Sequence, residues 1–192
     1  LNFGREDPIG YMIELFLINW IKNGLLIDYH LKMKTLVLLR HAKSSWDYPL
    51  DDLDRPLKMK GINRITKVSM EDKIIFNKSN IILTSPANRA IHTAIILARH
   101  ADLEFNKISI KESLYTFSSK SVEIVMRSMS DKFDYVIFVG HNPAFTEIIN
   151  KITRKKIDNL PTASWAKIIF KENKWSEVSN CQVSFSKSVK II

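Results

Sequence analysis

Cysteine and glycine are both scarce in this chain. Its 192 residues include one cysteine, Cys181, which excludes an internal disulfide framework and any zinc site built from several cysteines. Of the five glycines, only Gly61 and Gly140 lie after residue 33. Neither a P-loop nor a Rossmann fingerprint can be written with two glycines. A phosphate would therefore have to be bound by side chains and helix ends.

Acidic residues are also too few to balance the basic ones. Twenty Asp and Glu face 29 Lys and Arg, which gives a net charge of +9. This surplus favours an anionic partner, whether nucleic acid, anionic lipid or a phosphorylated substrate, without choosing among them. A basic cluster formed by Lys151, Arg154, Lys155 and Lys156 is predicted to be a solvated face. The alternative is that it docks an acidic phosphoprotein or binds nucleic acid weakly.

The first 32 residues differ from the rest of the chain. Residues 11–27 are apolar but interrupted by charges, and the run is shorter than the roughly 20 residues that a membrane helix needs. Met33 opens a well-formed strand pattern. We interpret residues 1–32 as an N-terminal extension upstream of a true start at Met33, and residues 33–192 as one domain. The alternative is an amphipathic N-terminal helix packed on that domain.

From residue 33 the sequence alternates between strand-like and helix-like patterns. Short apolar runs are typical of strands that are buried on both faces of a parallel sheet, and the intervening segments show helical periodicity. The pattern predicts a three-layer α/β/α sandwich with a mostly parallel central sheet. The predicted strands are 35–39, 80–83, 107–111 and 135–139, followed by a closing pair at 166–170 and 175–178. The predicted helices are 58–71, 85–100 and 121–129, with one more behind Pro143.

Two predicted strands end in histidine. Arg40 and His41 directly follow the first strand, and His141 follows the strand 135–139 after one glycine. A third strand leads into the helix that carries Arg89 in its first turn. Because ligands of open α/β sheets bind beyond the carboxyl ends of the strands, we expect these side chains to meet. Helix N-termini add partial positive charge there, so the sequence predicts an anion site.

These residue types suit chemistry on a phosphoryl group. The planar guanidinium of arginine matches phosphate oxygens, and a histidine whose tautomer is fixed by a backbone carbonyl is a competent nucleophile toward phosphorus. The second histidine, if protonated, would donate to the phosphoryl group. A single histidine after a strand is more often an ordinary loop residue, but two matching strand ends make coincidence less probable. No pair of histidines has metal-ligand spacing, so a metal-free site is predicted.

Five motifs, in order, resemble the histidine phosphatase superfamily, whose fold is called phosphoglycerate mutase-like. More narrowly, they resemble the short phosphohistidine phosphatases of the SixA type, and the resemblance extends from Met33 to about Val178. The motifs are Leu-Arg-His-Ala-Lys-Ser-Ser-Trp at 39–46, Asp-Arg-Pro-Leu at 54–57, Ser-Pro-Ala-Asn-Arg-Ala at 85–90, Val-Gly-His-Asn-Pro at 139–143 and Leu-Pro-Thr-Ala at 160–163.

The resemblance implies roles for four residues. His41 would be the nucleophile that takes the phosphoryl group, and water would later release it. Arg40, Arg89 and His141 would form the rest of the phosphate pocket. No cofactor is implied.

Two further positions, Arg55 and Ser44, have weaker implied roles. Arg55 would be an additional phosphate contact, or else a surface arginine beside Asp54. Ser44 would hydrogen-bond the phosphate, or only cap its turn. Ala42 and Lys43 replace the Gly-Glu of mutase-type members, which disfavours a sugar-phosphate mutase and suits the phosphohistidine branch.

A general acid is harder to assign. Larger members of the superfamily use an acidic residue near the position of Glu112, which in this chain is alternatively a solvated charge. The SixA type lacks a strong acid there. A phosphorylated imidazole whose distal nitrogen is protonated leaves as a neutral ring, so it needs little help from an acid. Asp51 and Asp52 are alternative acids, but solvation of their loop is the role predicted for them.

The sequence as a whole predicts a phosphohistidine phosphatase. Short distances between the motifs leave little room for an inserted lid, so we expect an open pocket, walled in part by Trp46, that suits a phosphate on a protein surface. The chain is expected to be cytoplasmic and monomeric, with no membrane contact and no stable nucleic-acid complex. The alternatives are a phosphatase of small phosphate monoesters with the same mechanism, and a phosphate- or nucleic-acid-binding module without turnover.

Overall fold

A computed structural model describes residues 33–179 and 181–192. The interpreted extension, residues 1–32, lies outside the described residues. Within them, the strands are β1 (Lys34–Arg40), β2 (Ile81–Thr84), β3 (Ile108–Ile110), β4 (Tyr135–Gly140), β5 (Trp165–Phe170) and β6 (Cys181–Phe185). The helices are α1 (Met59–Glu71), α2 (Lys73–Phe76), α3 (Asn88–His100), α4 (Ser119–Arg127) and α5 (Ala144–Thr153). No helix in the described ranges is long and apolar enough to cross a membrane.

The strands form one sheet in the order β3-β2-β4-β1-β5-β6. The four strands β3, β2, β4 and β1 are parallel to one another, and β5 and β6 add an antiparallel edge beside β1. In the register of β1 with β4, Arg40 lies opposite Gly140. The carboxyl ends of these two central strands are therefore level, which brings the residues that follow them to the same edge of the sheet.

Helices cover both faces of the sheet. Side chains alternate along β1, so that Leu36 and Leu38 pack in one buried cluster with α4 and α5, while Val37 and Leu39 pack in a second cluster with α1 and α3. This alternation follows from the two-residue period of a strand, and apolar residues on both faces require a covering layer on each side. The predicted three-layer sandwich with a mostly parallel sheet is confirmed.

The predicted second strand of the closing pair, at 175–178, is wrong. Residues Trp175–Glu177 form a single 3₁₀ turn, and the strand that pairs with β5 is Cys181–Phe185. The Trp175 side chain is fully buried, and its indole Nε1 donates to the carbonyl oxygen of Phe133 at 2.7 Å. The buried Trp175 side chain therefore explains why residues 175–178 resemble a strand in the sequence, although they do not form one. The real strand alternates polar and apolar residues, as a half-exposed edge strand does.

The predicted start of the helix that carries Arg89 is also wrong. Helix α3 begins at Asn88, three residues later than predicted, and Ser85 does not cap it. The Ser85 hydroxyl instead accepts the backbone N–H of Ala87 at 3.2 Å, within the turn between β2 and α3. Arg89 nevertheless lies in the first turn of the helix. From there its side chain can lean back toward the strand ends.

Candidate active site

His41 lies at the carboxyl end of β1 and is 9% exposed. Its Nδ1 is 2.7 Å from the carbonyl oxygen of Ala42. A carbonyl oxygen can only accept, so Nδ1 carries the proton and Nε2 keeps its lone pair. The contact with the Ala42 carbonyl oxygen therefore fixes the tautomer of His41. A neutral imidazole held in this tautomer has its nucleophilic nitrogen available.

The backbone around His41 is tied to three other segments. Its N–H donates to the carbonyl oxygen of Gly140 at 3.0 Å, and the N–H of Ala42 donates to the Thr93 hydroxyl at 2.9 Å. On the other side, the N–H of Ala163 lies 3.0 Å from the carbonyl oxygen of Arg40 and 3.2 Å from that of His41. The backbone of His41 thus has little freedom to move, so its imidazole is held in a fixed position.

His141 faces His41 from the end of β4. The centroids of the two imidazole rings are 5.0 Å apart. His141 Nε2 is 2.8 Å from the Ser85 hydroxyl, and its Nδ1 is 3.4 Å from Nη2 of Arg89. Since a guanidinium can only donate, Nδ1 accepts, and the proton of the neutral ring lies on Nε2. Three strand ends therefore meet at this histidine, as the sequence predicted.

Both histidines are neutral near pH 7 in this structure. Burial, reinforced by the positive charges of Arg89, Arg40 and Arg55, lowers the pKa of His41 to about 4, although its bond to Ala42 opposes the shift. Burial, followed by repulsion from His41 when that ring is protonated and by the charge of Arg89, lowers the pKa of His141 to about 3. A donor role for protonated His141 therefore requires a nearby negative charge to raise its pKa, and phosphoryl oxygens supply such a charge.

Arg89 and Arg55 converge on one carboxylate, that of Asp52. Nη2 of Arg89 donates to Asp52 Oδ2 at 2.8 Å, and Nη1 of Arg55 donates to Oδ1 at 2.7 Å. Arg89 also donates through Nη1 to the backbone carbonyl oxygen of Asp52. Both arginines are buried. The prediction that Asp52 serves only to solvate its loop is therefore wrong, because the packing of α3 brings Arg89 against it.

Asp52 is a poor proton donor. Its partial burial raises the pKa, but hydrogen bonds from Arg55, Tyr115 and Arg89 outweigh that effect and lower the pKa to about 2. The Tyr115 hydroxyl donates to Oδ2 at 2.8 Å, and this bond raises the pKa of the tyrosine. The carboxylate is therefore ionised at neutral pH. Sequence reasoning also missed Tyr115, whose ring lies against His141 with centroids 5.5 Å apart.

Arg40 is held by residues 159 and 160 and not by Asp52. Its Nη1 donates to the carbonyl oxygen of Leu160 at 2.8 Å and to Asn159 Oδ1 at 3.2 Å. Its Nε is buried and has no hydrogen-bond partner within residues 33–179 and 181–192. The motif at 160–163 thus supplies backbone groups that position Arg40 and His41, a role that no side-chain pattern in the sequence indicated.

Ser44 and Arg55 are linked directly. Nη2 of Arg55 donates to the Ser44 hydroxyl at 2.6 Å, and Nε donates to the carbonyl oxygen of Ser45 at 2.9 Å. The guanidinium carbon lies 3.1 Å from the centre of the Trp46 ring, a stacked arrangement that is typical of arginine on an aromatic face. Arg55 is therefore a buried cavity residue and not a surface arginine beside Asp54.

A cavity of about 480 Å³ lies where these side chains meet. All six predicted nucleophile and phosphate-pocket residues line it. The other lining residues include Lys43 and Lys58, which add positive charge, and Trp46 and Phe117, whose side chains are 72% and 60% exposed at its edge. The lining residues are Arg40, His41, Lys43, Ser44, Trp46, Asp52, Arg55, Lys58, Arg89, Phe117, His141, Asn142 and Thr162.

Glu112 is not one of the residues that line this cavity. It is exposed in the 3₁₀ turn Glu112–Leu114, just after β3. The carboxylate that does line the cavity belongs to Asp52. Metal ligands are not grouped either, since no three His, Cys, Asp or Glu side chains in the described part of the chain are placed to hold an ion.

Comparison with known proteins supports the fold. No family model matches the chain. The protein histidine phosphatase SixA complexed with tungstate has a TM-score of 0.66 and 16% identity, covering 78% of this chain and 94% of that one. Phosphoglycerate mutase from Bacillus anthracis has a TM-score of 0.66 and 15% identity, covering 83% of this chain and 95% of that one. By sequence, an uncharacterized chloroplastic protein of Arabidopsis thaliana is 27% identical in an alignment of 154 residues. The match covers 75% of this chain and 70% of that protein.

The fold is thus the phosphoglycerate mutase-like α/β fold. Within that class it has the SixA-like form, and the resemblance that the five motifs carry is confirmed at the level of the fold.

Proposed function

We propose that this protein is a phosphatase that hydrolyses protein phosphohistidine through a phosphorylated His41. The observation that carries the proposal is the His41 tautomer, which leaves Nε2 unprotonated on a histidine that lines the cavity together with Arg40, Arg89 and His141. Three arginines around a neutral imidazole nucleophile form an environment that stabilises charge on transferred phosphoryl oxygens. The shared fold supports the proposal, because one solved protein with this fold is the protein histidine phosphatase SixA.

The reaction has two steps. In the first, the His41 Nε2 lone pair forms a bond to phosphorus while the bond to the substrate nitrogen breaks, and that electron pair leaves with the substrate imidazole. In the second, water attacks the phosphorus of the phosphoenzyme. The P–N bond breaks, its electron pair returns to Nε2, and both protons of the water leave with inorganic phosphate. Arg40 and Arg89 would bind the non-bridging oxygens in both steps.

The acid–base properties of the cavity favour phosphohistidine over a sugar or alkyl phosphate. Donor and acceptor are both imidazoles, so a P–N bond of the same kind is broken and formed in the first step. An alkoxide leaving group needs a proton, whereas the carboxylate in this cavity, Asp52, has a pKa of about 2 and is ionised at neutral pH. Glu112 does not line the cavity.

The edge of the cavity fits a phosphate presented on a protein. Trp46 and Phe117 are both mostly exposed and line the cavity from separate loops. Tyr48 and Leu50, on the same loop as Trp46, are also at least half exposed. Exposed aromatic and aliphatic side chains beside a reactive site are a feature of protein-binding surfaces. They favour a macromolecular substrate over a small metabolite, which would be enclosed.

The decisive experiment traps the phosphoenzyme. Incubation with a ³²P-labelled phosphohistidine protein should label the wild type at one residue, with a bond that is labile in acid and stable in alkali. His41→Ala should remove both the label and turnover. His92→Ala, which changes an exposed histidine of α3, is the control and should keep both. An alanine variant at 41 with a tenth of the wild-type rate would exclude His41 as the nucleophile.

The same experiment separates the alternatives. Faster hydrolysis of a small phosphate monoester than of the phosphohistidine protein would favour the monoester phosphatase. Absence of turnover on every substrate, together with strongly salt-dependent nucleic-acid binding, would favour a binding module. A monomeric state and a cytoplasmic location stay predictions from the sequence.

A further inference from the structure

The Asp52 carboxylate occupies hydrogen-bonding capacity that a phosphate would use. Phosphate is bound through arginine N–H groups, and two of the arginines that line the cavity, Arg55 and Arg89, donate to Asp52. A carboxylate and a phosphate present similar planar pairs of oxygens to a guanidinium fork. Both arginines are buried, so neither can find an alternative partner in bulk solvent.

The Asp52 side chain is exposed enough to move toward solvent when a phosphate binds. Its side chain is 38% exposed, whereas the side chains of its two arginine partners are 9% and 4% exposed. It lies at the start of the short 3₁₀ turn Asp52–Asp54, which has no buried residues, and its side chain is held by hydrogen bonds from Arg55, Arg89 and the Tyr115 hydroxyl. A bound phosphate can therefore displace this carboxylate toward solvent at little desolvation cost, while the guanidinium groups stay in place.

Arg55 would keep its orientation without the carboxylate. Its Nε is held by the carbonyl oxygen of Ser45, its Nη2 by Ser44, and its plane by the Trp46 ring. Arg89 similarly keeps a contact to the backbone carbonyl oxygen of Asp52, which does not depend on the side chain. The carboxylate is therefore not needed to aim the two arginines, and its main effect on the site is its negative charge.

We propose that Asp52 is a specificity-determining residue that acts as an internal competitor of phosphate for Arg55 and Arg89. It weakens the binding of inorganic phosphate and so helps product to leave. The inference rests on the proposed function, since it assumes that phosphate occupies this cavity. Like charges within one small site repel strongly, so a phosphate that enters must either displace the carboxylate or bind beside it at a cost.

The test is titration calorimetry with inorganic phosphate at constant ionic strength. Asp52→Asn keeps the size of the side chain and removes its charge, and we expect it to bind phosphate about tenfold more tightly than the wild type. Asp52→Ser should shift affinity in the same direction. Asp51→Asn makes the same charge change one residue away, at an exposed position that does not line the cavity, and should bind within about twofold of the wild type.

Kinetics supply a second readout. Phosphate should inhibit Asp52→Asn more strongly than the wild type, and KM should fall without a rise in kcat. Equal phosphate affinity in the two proteins overturns the proposal, and so does weaker binding by Asp52→Asn, which would make the carboxylate a scaffold for the arginines. If neither protein binds phosphate, the proposal also fails, and the phosphoenzyme experiment then shows whether the proposed function fails with it.

Discussion

The carboxyl ends of β1 and β4 and the loop of residues 43–57 form two sides of the same cavity but differ in construction. The strand ends are buried, and their backbone groups are hydrogen-bonded across the sheet, as between His41 N–H and the Gly140 carbonyl oxygen. The loop is closed at its base, where the N–H of Ser45 donates to the carbonyl oxygen of Pro56 at 2.8 Å, but most of residues 46–54 are exposed.

Because the two regions differ in rigidity and exposure, we expect them to have different roles in the site. The strand ends hold His41 and the facing His141 in a fixed geometry, which the proposed reaction at phosphorus requires. The loop contributes Asp52 and Arg55 to the cavity lining and places the exposed Trp46 at its edge. Changes at the strand ends should therefore affect rate, whereas changes in the loop should affect affinity and substrate choice.

The largest effect should come from the strand-end side. Arg89→Gln removes the guanidinium beside His141 and should lower kcat/KM by about a thousandfold, because charge on the transferred phosphoryl group loses a buried donor. Arg99→Gln, the same change at an exposed position of the same helix, should leave kcat/KM within about twofold. Steady-state kinetics on a phosphohistidine protein measure both. Equal losses in the two variants would contradict the assignment of Arg89.

Acid pH should lower the stability of the fold, because the two histidines at the strand ends bind protons more readily in the unfolded chain than in the folded one. Their folded pKa values, about 4 and about 3, lie below the unfolded value near 6.5, so the unfolded chain binds more protons between these limits. Stability should therefore fall as pH decreases from about 6.5 toward 4, by about 1.4 kcal/mol per pH unit for each histidine. Urea unfolding at several pH values checks this. His141→Gln should remove about half of the slope, and an unchanged slope would contradict the burial argument.

The junction between the two regions should be sensitive to one methyl group. Gly61 in α1 packs on the backbone of Lys43, and a Cβ at this position would lie 2.3 Å from the Lys43 carbonyl oxygen. Gly→Ala inside a helix ordinarily stabilises by up to about 1 kcal/mol. Here Gly61→Ala should destabilise by about 2 kcal/mol, because the clash is with backbone that cannot rotate away.

Urea unfolding of Gly61→Ala measures this effect. Asn63→Ala, at an exposed position of the same helix, is the control and should be neutral or slightly stabilising. A stabilised Gly61→Ala would show that the backbone at Lys43 can shift at no cost, which would contradict a rigid junction between the strand end and the loop.

The smallest effect on kinetics should come from the exposed edge of the cavity, where Trp46 lies. Trp46→Ala should raise KM for a phosphohistidine protein about fivefold and change KM for a small aryl phosphate less, since the indole is placed to contact the larger substrate. Tyr48→Ala is the control on the same loop, because Tyr48 is exposed but does not line the cavity. If Trp46→Ala raises KM equally for both substrates, Trp46 acts through Arg55, on which it stacks, and not through the protein surface.

Much of this site could be predicted because its core depends on local pattern. An apolar strand ending in Arg40-His41, and another ending before His141, are visible in the sequence, and parallel strands bring their ends together whatever the loops do. Asp52 could not be predicted in the same way. Its partners Arg89 and Tyr115 are 37 and 63 positions away along the chain, and no spacing rule links them.

The sequence by itself determined the order of the first five strands and of the four longer helices, and with it the two histidines at strand ends and the arginines near them, because these elements follow from periodicities of two and 3.6 residues. It did not indicate the short helix α2. Only the tertiary structure decided that Asp52 enters the cavity, that Glu112 stays outside its lining, and that the last strand is Cys181–Phe185. Those features depend on how distant segments pack against one another. Contacts between distant segments depend on how their shapes fit and on which groups become buried. The residue types within a single stretch of sequence do not specify either property.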